Sequence, residues 1–296
     1  MIIRPAVVAG QFYPDEKDEL YELIHRCFTG PLGPGRFPSA QDSNATKEVS
    51  RVECILVPHA GLIYSGPVAA FSYQIAFDFF QQFKKAKEII VIILGPNHYG
   101  IGSGVAISGA DLWETPLGRL KVAKDARKIF ASKSTILDID DLAHSREHSI
   151  EVQLPFIQAM AGSRPDKISL LPISLMLQDM ATALDVSKAL FDLVRESDSP
   201  YLVIGSSDLT HYEPHDRAEK QDKSLLAEIA KIDVSGLYTI FERKNISACG
   251  YGAIASVMQL SKKLGRKSGE LLRYATSGET SGDKSSVVGY SSVHFV

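Results

Sequence analysis

Cysteine is scarce in this chain. Its 296 residues hold three, Cys27, Cys54 and Cys249, far apart and with no CxxC pair. So sparse and odd a set cannot form a disulfide framework and suits a reducing compartment, so a cytoplasmic protein is expected. Long apolar runs are missing too. IIVIIL at residues 89–94 is among the longest, which is strand length and far short of the ~20 residues that cross a bilayer. The opening residues, MIIRPAVVAGQFYP, contain one arginine and no extended apolar stretch, so no secretory leader is expected there. Excess positive charge is absent as well. The 32 Lys and Arg stand against 35 Asp and Glu, for a net charge of −3, and they form no basic run or stripe. Nucleic acid and anionic membrane are therefore not expected as main partners. There is no internal repeat and no low-complexity tract.

What is present is an ordinary globular composition, 45% hydrophobic and 23% charged. A chain this long buries about three quarters of its unfolded surface. Without a linker inside it, a single domain over residues 1–296 is expected. Pro14 and Asp15 open a first helix, Leu20, Leu23, Ile24 and Cys27 recur at helical spacing, and Gly30 stops it. Residues 30–48, rich in Gly and Pro and then polar, read as a surface loop. From Val52 onward strands and helices alternate. Strands are expected at 52–57, 89–94, 168–175 and 201–205, with helices at about 67–83, 124–133, 148–160, 179–196, 214–231 and 249–264. GVAIS and GRLKVA form a candidate hairpin, DIDDLAHSRE a loop, and LLRYATSG and SSVVGYSSVHFV two closing strands. This order predicts an α/β fold, a three-layer αβα domain with a mostly parallel, mixed central sheet.

The chemistry collects where the strands end. VECILVPHAG puts His59 just past one strand and IIVIILGPNH puts His98 just past the next; YLVIGSSDLTH puts Asp208 and His211 beyond a third. In an open α/β sheet the carboxyl ends of the strands border one crevice, where ligands bind. Imidazole and carboxylate brought to one rim suggest a metal or acid–base site. One loop histidine alone more simply bonds its own turn; two after consecutive strand–helix units favour ligand groups. If the residues after Ser207 are helical, Asp208 and His211 share a face and the carboxylate orients the imidazole as a general base. The competing reading has Ser206, Ser207 and Asp208 capping that helix. His215, farther out among charges, reads as surface.

Cys249, in ISACGYGAIAS, precedes a helix, whose N-terminus lowers a thiol pKa; a small buried turn residue is the alternative. AHSREHSIEVQLPF carries His144, Glu147, His148 and Glu151, but Ser145 stands where HExxH requires Glu, so a zinc protease is disfavoured. His148 is a candidate for substrate contact or for supporting bonds. Tyr64 and Tyr99, beside the histidine loops, could line the pocket or stand exposed.

PHAGLIYSG, GPNHYG, EHSIEVQLPF, SSDLTHY and ACGYGAI, in this order, resemble the Memo family, known in bacteria and archaea as AmmeMemoRadiSam system protein B. The resemblance begins at RPAVVAGQFYP and covers nearly the whole chain. It implies a fold like that of LigB-type class III extradiol dioxygenases, non-haem Fe(II) enzymes with two His and one carboxylate on iron. Carried over, His59 and His98 match the His ligands, and Cys249 falls where the dioxygenases have Glu. His211 matches the acid–base histidine, with Asp208 alongside. The thiolate shifts metal preference from Fe(II) towards softer ions such as Cu(I) or Zn.

The resemblance thus implies a metal-dependent oxidoreductase holding iron or copper, with a functional link to a radical-SAM protein and an unknown small-molecule or peptide ligand. Two other classes compete with it. One is a binding module holding an anionic or phosphorylated peptide in the same crevice. The other is metal-free transfer with Cys249 as nucleophile and His211 as base.

Overall fold

Four central strands carry almost no polar side chains, and every residue in them is buried. They are β2 (Val52–Val57), β3 (Ile89–Pro96), β8 (Ile168–Leu175) and β9 (Tyr201–Ser206). Strands covered on both faces read as such continuous apolar runs. They lie side by side and parallel, in the order β8-β3-β9-β2. The computed structural model describes residues 1–39 and 50–296. The loop expected over residues 30–48 lies partly outside the described residues; residues 30–39 form turns and bends.

Around that centre lie β1 (Ile3–Arg4), β4 (Val105–Ile107), β5 (Leu112–Thr115), β6 (Gly118–Val122) and β7 (Leu137–Ile139). β10 (His211–Glu213), β11 (Gly269–Thr276) and β12 (Val287–Phe295) complete the sheet. β12 is antiparallel to β2, β10 and β11, so the sheet is mixed, as expected. The helices are α1 (Lys17–Thr29), α2 (Leu62–Gln82), α3 (Lys124–Ala131), α4 (Leu154–Ala161) and α5 (Met180–Glu196). After them come α6 (His215–Ala230), α7 (Val234–Lys244), α8 (Tyr251–Lys263) and the short α9 (Ser277–Ser281).

Alternation along the strands divides the interior into two cores. Cys54, Leu56, Ile90, Ile92 and Leu94 pack with residues of α5 and α8 on one face. Ile55, Val57, Val91 and Ile93 pack with residues of α1, α2 and α4 on the other. The result is the three-layer αβα architecture. Among the described residues no helix is long and apolar enough to cross a membrane.

Several local expectations need correction. α2 begins at Leu62, not near Pro67, because Gly61 starts the helix and Pro67 removes only the N–H that would reach the Ile63 carbonyl. The hairpin is β5–β6; GVAIS supplies β4, antiparallel to β8 and parallel to β7, the latter a strand that takes in the first two residues of the expected loop. Gly118, with φ of +120°, and the Leu117 amide bonded to Thr115 Oγ1 make the hairpin turn. The helix expected from His148 opens later, with a tight turn at Glu151–Gln153 before α4, because Glu147 takes the His148 and Ser149 amides. α7 was not foreseen, since only Val234 and Leu237 along it are buried. No helix follows Ser207; the chain turns into β10, paired with β12.

Candidate functional site

The parallel strands β2, β3 and β9 each deliver a polar side chain two residues past their last residue: His59, His98 and Asp208. Cys249 reaches the same place from the turn before α8. That turn presses against β9 so closely that a Cβ on Gly250 would lie 2.4 Å from the Ser206 carbonyl oxygen. Two side chains hold it there. The Gly250 amide donates to Ser207 Oγ at 2.9 Å, and Gln178 donates to the Cys249 carbonyl at 2.9 Å while accepting from the Gly252 amide.

His59 Nε2 lies 3.1 Å from Cys249 Sγ. The rings of His59 and His98 are 5.3 Å apart between centroids. His148 stacks on His98 at 4.5 Å and stands 5.4 Å from His59. One donor atom from each of His59, His98 and Cys249 lies within 4.8 Å of the others. The structure therefore gathers these three residues and adds His148 to them.

Hydrogen bonds fix the proton on His59. Ser206 has a single hydroxyl hydrogen, which it gives to the Ser149 carbonyl at 2.7 Å. It must then accept from Gln153 Nε2 at 2.9 Å and from His59 Nδ1 at 2.9 Å. Gln153 is itself fixed, because its amide nitrogen donates to the Pro58 carbonyl and its oxygen accepts from Tyr73. His59 consequently carries its hydrogen on Nδ1 and turns the Nε2 lone pair towards Cys249.

Glu147 does the same for His98. Its Oε1 accepts from His98 Nδ1 at 2.9 Å and its Oε2 from the His98 amide at 2.6 Å. The His148 and Ser149 amides also donate to it. Burial pushes the Glu147 carboxyl up, but the His98 bond and charge, with His148 and the Ser149 amide, outweigh this and bring it down to about 2. Nε2 is then the free donor of His98. Burial, with the neighbouring imidazoles, holds His59 well below the ordinary histidine value. Burial also brings His148 down to about 4 against the pull of Glu147. Both rings are neutral at pH 7, the form that binds a cation.

The neutral rings of His59 and His148, with the His98 ring and a thiol, form a soft nitrogen–sulfur donor set. A family model described as Memo-like protein matches residues 4–294. The chain belongs to the Memo family. A MEMO1 family protein of Methanopyrus kandleri is 41% identical over 292 residues, 99% of this chain and 98% of that protein. One from Nitrosopumilus maritimus is 42% identical over 295 residues, spanning all of both chains. Among solved structures, an uncharacterised protein of Escherichia coli aligns with a TM-score of 0.52 at 11% identity. It covers 82% of this chain and 99% of its own, a likeness of fold alone.

Elsewhere in this Memo-family site, expectation and structure part company. Asp208 does not orient His211: its Oδ1 accepts the His59 and Ala60 amides, at 2.7 and 3.3 Å. His211 Nδ1 is held instead by the Leu209 carbonyl at 2.7 Å. The helical spacing that was to join them is absent because β10 replaces the helix. Burial raises the Asp208 carboxyl to about 6 against those amides. Cys249 does not gain the low pKa expected at a helix N-terminus; desolvation and the Asp208 carboxylate raise its thiol instead. Tyr64 and Tyr99 are exposed, at 40% and 52%. His215 is half-buried and bonded to Thr276 Oγ1, not free surface. Buried His144 packs on Trp113 away from the histidine cluster, and Glu151 is bound to Arg4, so neither joins the site. Sequence reasoning did not single out Ser206, Gln153 or Gln178 as supports, and it left Glu147 without its role. The signal for Glu147 and Gln153 was the polar residues set among apolar ones in EHSIEVQLPF, and Ser206 was read only as a helix cap.

Proposed function

We propose that this Memo-family chain is a metal-dependent redox enzyme in which His59, His98 and Cys249 hold one iron or copper ion. A single observation carries the reading: each imidazole has its Nδ1 engaged by a fixed acceptor, with His59 Nε2 3.1 Å from the Cys249 sulfur and a ring nitrogen of His98 within 4.8 Å of both. Such outer bonds set tautomer and orientation in metal-binding histidines. An iron or copper ion in this setting supplies one-electron chemistry on dioxygen and on an organic substrate.

The remaining roles follow from what each side chain can reach. Cys249 gives up its proton when a cation binds, which couples uptake to proton release. His211, its Nδ1 held by Leu209, has Nε2 left to accept or return a substrate proton. His148 walls the pocket over the face of His98. Asp208 fixes the turn that carries His59. Zinc, with the same taste for nitrogen and sulfur, competes in preparations.

The deciding experiment is anaerobic titration with Fe(II) and with Cu(I), followed by elemental analysis, on wild type and Cys249→Ser. One tight equivalent that the variant loses is the expected outcome, with His211→Ala keeping the metal and losing turnover. Absence of binding, or binding indifferent to the substitution, would overturn the assignment and leave the crevice to an anionic peptide ligand.

A further inference from the structure

The N-terminal strand is tied to the histidine loop by more bonds than its two residues need. Arg4 is 6% exposed, and its guanidinium lies 4.1 Å over the Trp113 ring. Its nitrogens donate to three places on one segment: Nε to the His144 carbonyl at 2.8 Å, one terminal nitrogen to the Glu147 carbonyl at 2.7 Å, and the other to Glu151 Oε2 at 2.5 Å. Fully buried Glu151 also accepts from the Val7 and Val8 amides and from the Tyr13 hydroxyl. Residues 4–13 therefore clasp residues 144–151.

We infer that Arg4 is a positioning residue for His98, acting through Glu147. The guanidinium fixes the Glu147 main chain at its carbonyl, and the Glu147 carboxylate in turn holds the ring and the amide of His98. A planar fork with separate donors reaches three acceptors at once; a lysine ammonium is a single point of charge and cannot span them. The ion pair with Glu151 serves the stability of the clasp, while the bond to the Glu147 carbonyl serves the aim of the imidazole. The inference extends the metal reading above, but its first test does not depend on metal.

Arg4→Lys and Glu151→Gln separate the two functions. In metal-free protein, the nitrogen NMR signals of the His98 ring report its tautomer. Arg4→Lys should convert the single Nδ1–H form into a mixture, whereas Glu151→Gln should lower Tm and leave that form intact. In the metal titration, Arg4→Lys should weaken binding 10- to 100-fold, the range for loss of an outer-shell support, and Glu151→Gln less than threefold in the folded protein. Should Arg4→Lys fail to fold, the double variant Arg4→Gln/Glu151→Gln, which removes both charges together, takes its place with the same expected mixture. An unchanged His98 tautomer in whichever variant folds overturns the inference. Wild type that binds no metal, with the tautomer still responding to Arg4, sinks the metal reading alone.

Discussion

His59 and His98 bring their rings to the same place, 5.3 Å apart, and they are held there by opposite means. His59 is 1% exposed, and while Asp208 takes its amide, its ring Nδ1 rests on neutral groups: the Ser206 hydroxyl, backed by the Gln153 amide, the Tyr73 hydroxyl and main-chain carbonyls. The His98 side chain is 29% exposed and leans on a carboxylate. A second carboxylate in place of the Ser206 hydroxyl would be desolvated without a counter-charge, at a cost of several kcal/mol. A hydroxyl provides the acceptor without that cost. Glu147 is 1% exposed as well, yet it takes three main-chain amides and an imidazole, so its charge is shared out. The two rings are therefore unequal. Burial and the neighbouring imidazoles hold His59 well below the ordinary histidine value, so a neutral acceptor at its Nδ1 suffices.

The largest expected effect comes from breaking the charged side. In Glu147→Gln one carboxylate oxygen becomes an NH2 facing N–H groups, which should cost about 3 kcal/mol in urea denaturation. The pH dependence sharpens the test. With its carboxyl brought down to about 2 from 4.5, Glu147 contributes stability that is present above pH 4.5 and lost as pH falls through 2. The gap between wild type and Glu147→Gln should close over that window; a gap independent of pH would show that charge is not the basis. Breaking the neutral side should cost less. Ser206→Ala leaves the Gln153 amide and the His59 Nδ1–H without their acceptor, for about 2 kcal/mol, with no acid-dependent component. Smallest of all, Tyr64→Phe and Tyr99→Phe touch exposed side chains and should shift stability by no more than about 0.5 kcal/mol. A change confined to ligand affinity in either would identify it as a pocket wall.

The two supports were unequally legible in the sequence. His59 and His98 stood out because a buried parallel strand announces its own end, and the first polar residues beyond it must lie on the shared rim; Cys249 was marked instead by the helix that follows it and by the family resemblance. Asp208 and His211 were placed on that rim too, but their pairing rested on a helix that does not form. Ser207 instead accepts the Gly250 amide and Asp208 the His59 amide, so neither is free to start one. The supporting residues were hidden because their partners are remote along the chain. Arg4 meets Glu147 across 143 residues, and Gln153 meets Ser206 across 53. Local periodicity has no means of pairing positions so far apart.

The contact between Cys249 and His59 spans 190 residues, the longest reach within the histidine–cysteine cluster. The contact needs β2, β3 and β9 to be paired and the turn before α8 to be docked on β9. A chain still emerging from the ribosome lacks its sulfur donor until residue 249 has been made. Capture of a cation at this crevice would thus act as a maturation checkpoint, passed only by molecules whose sheet is already assembled.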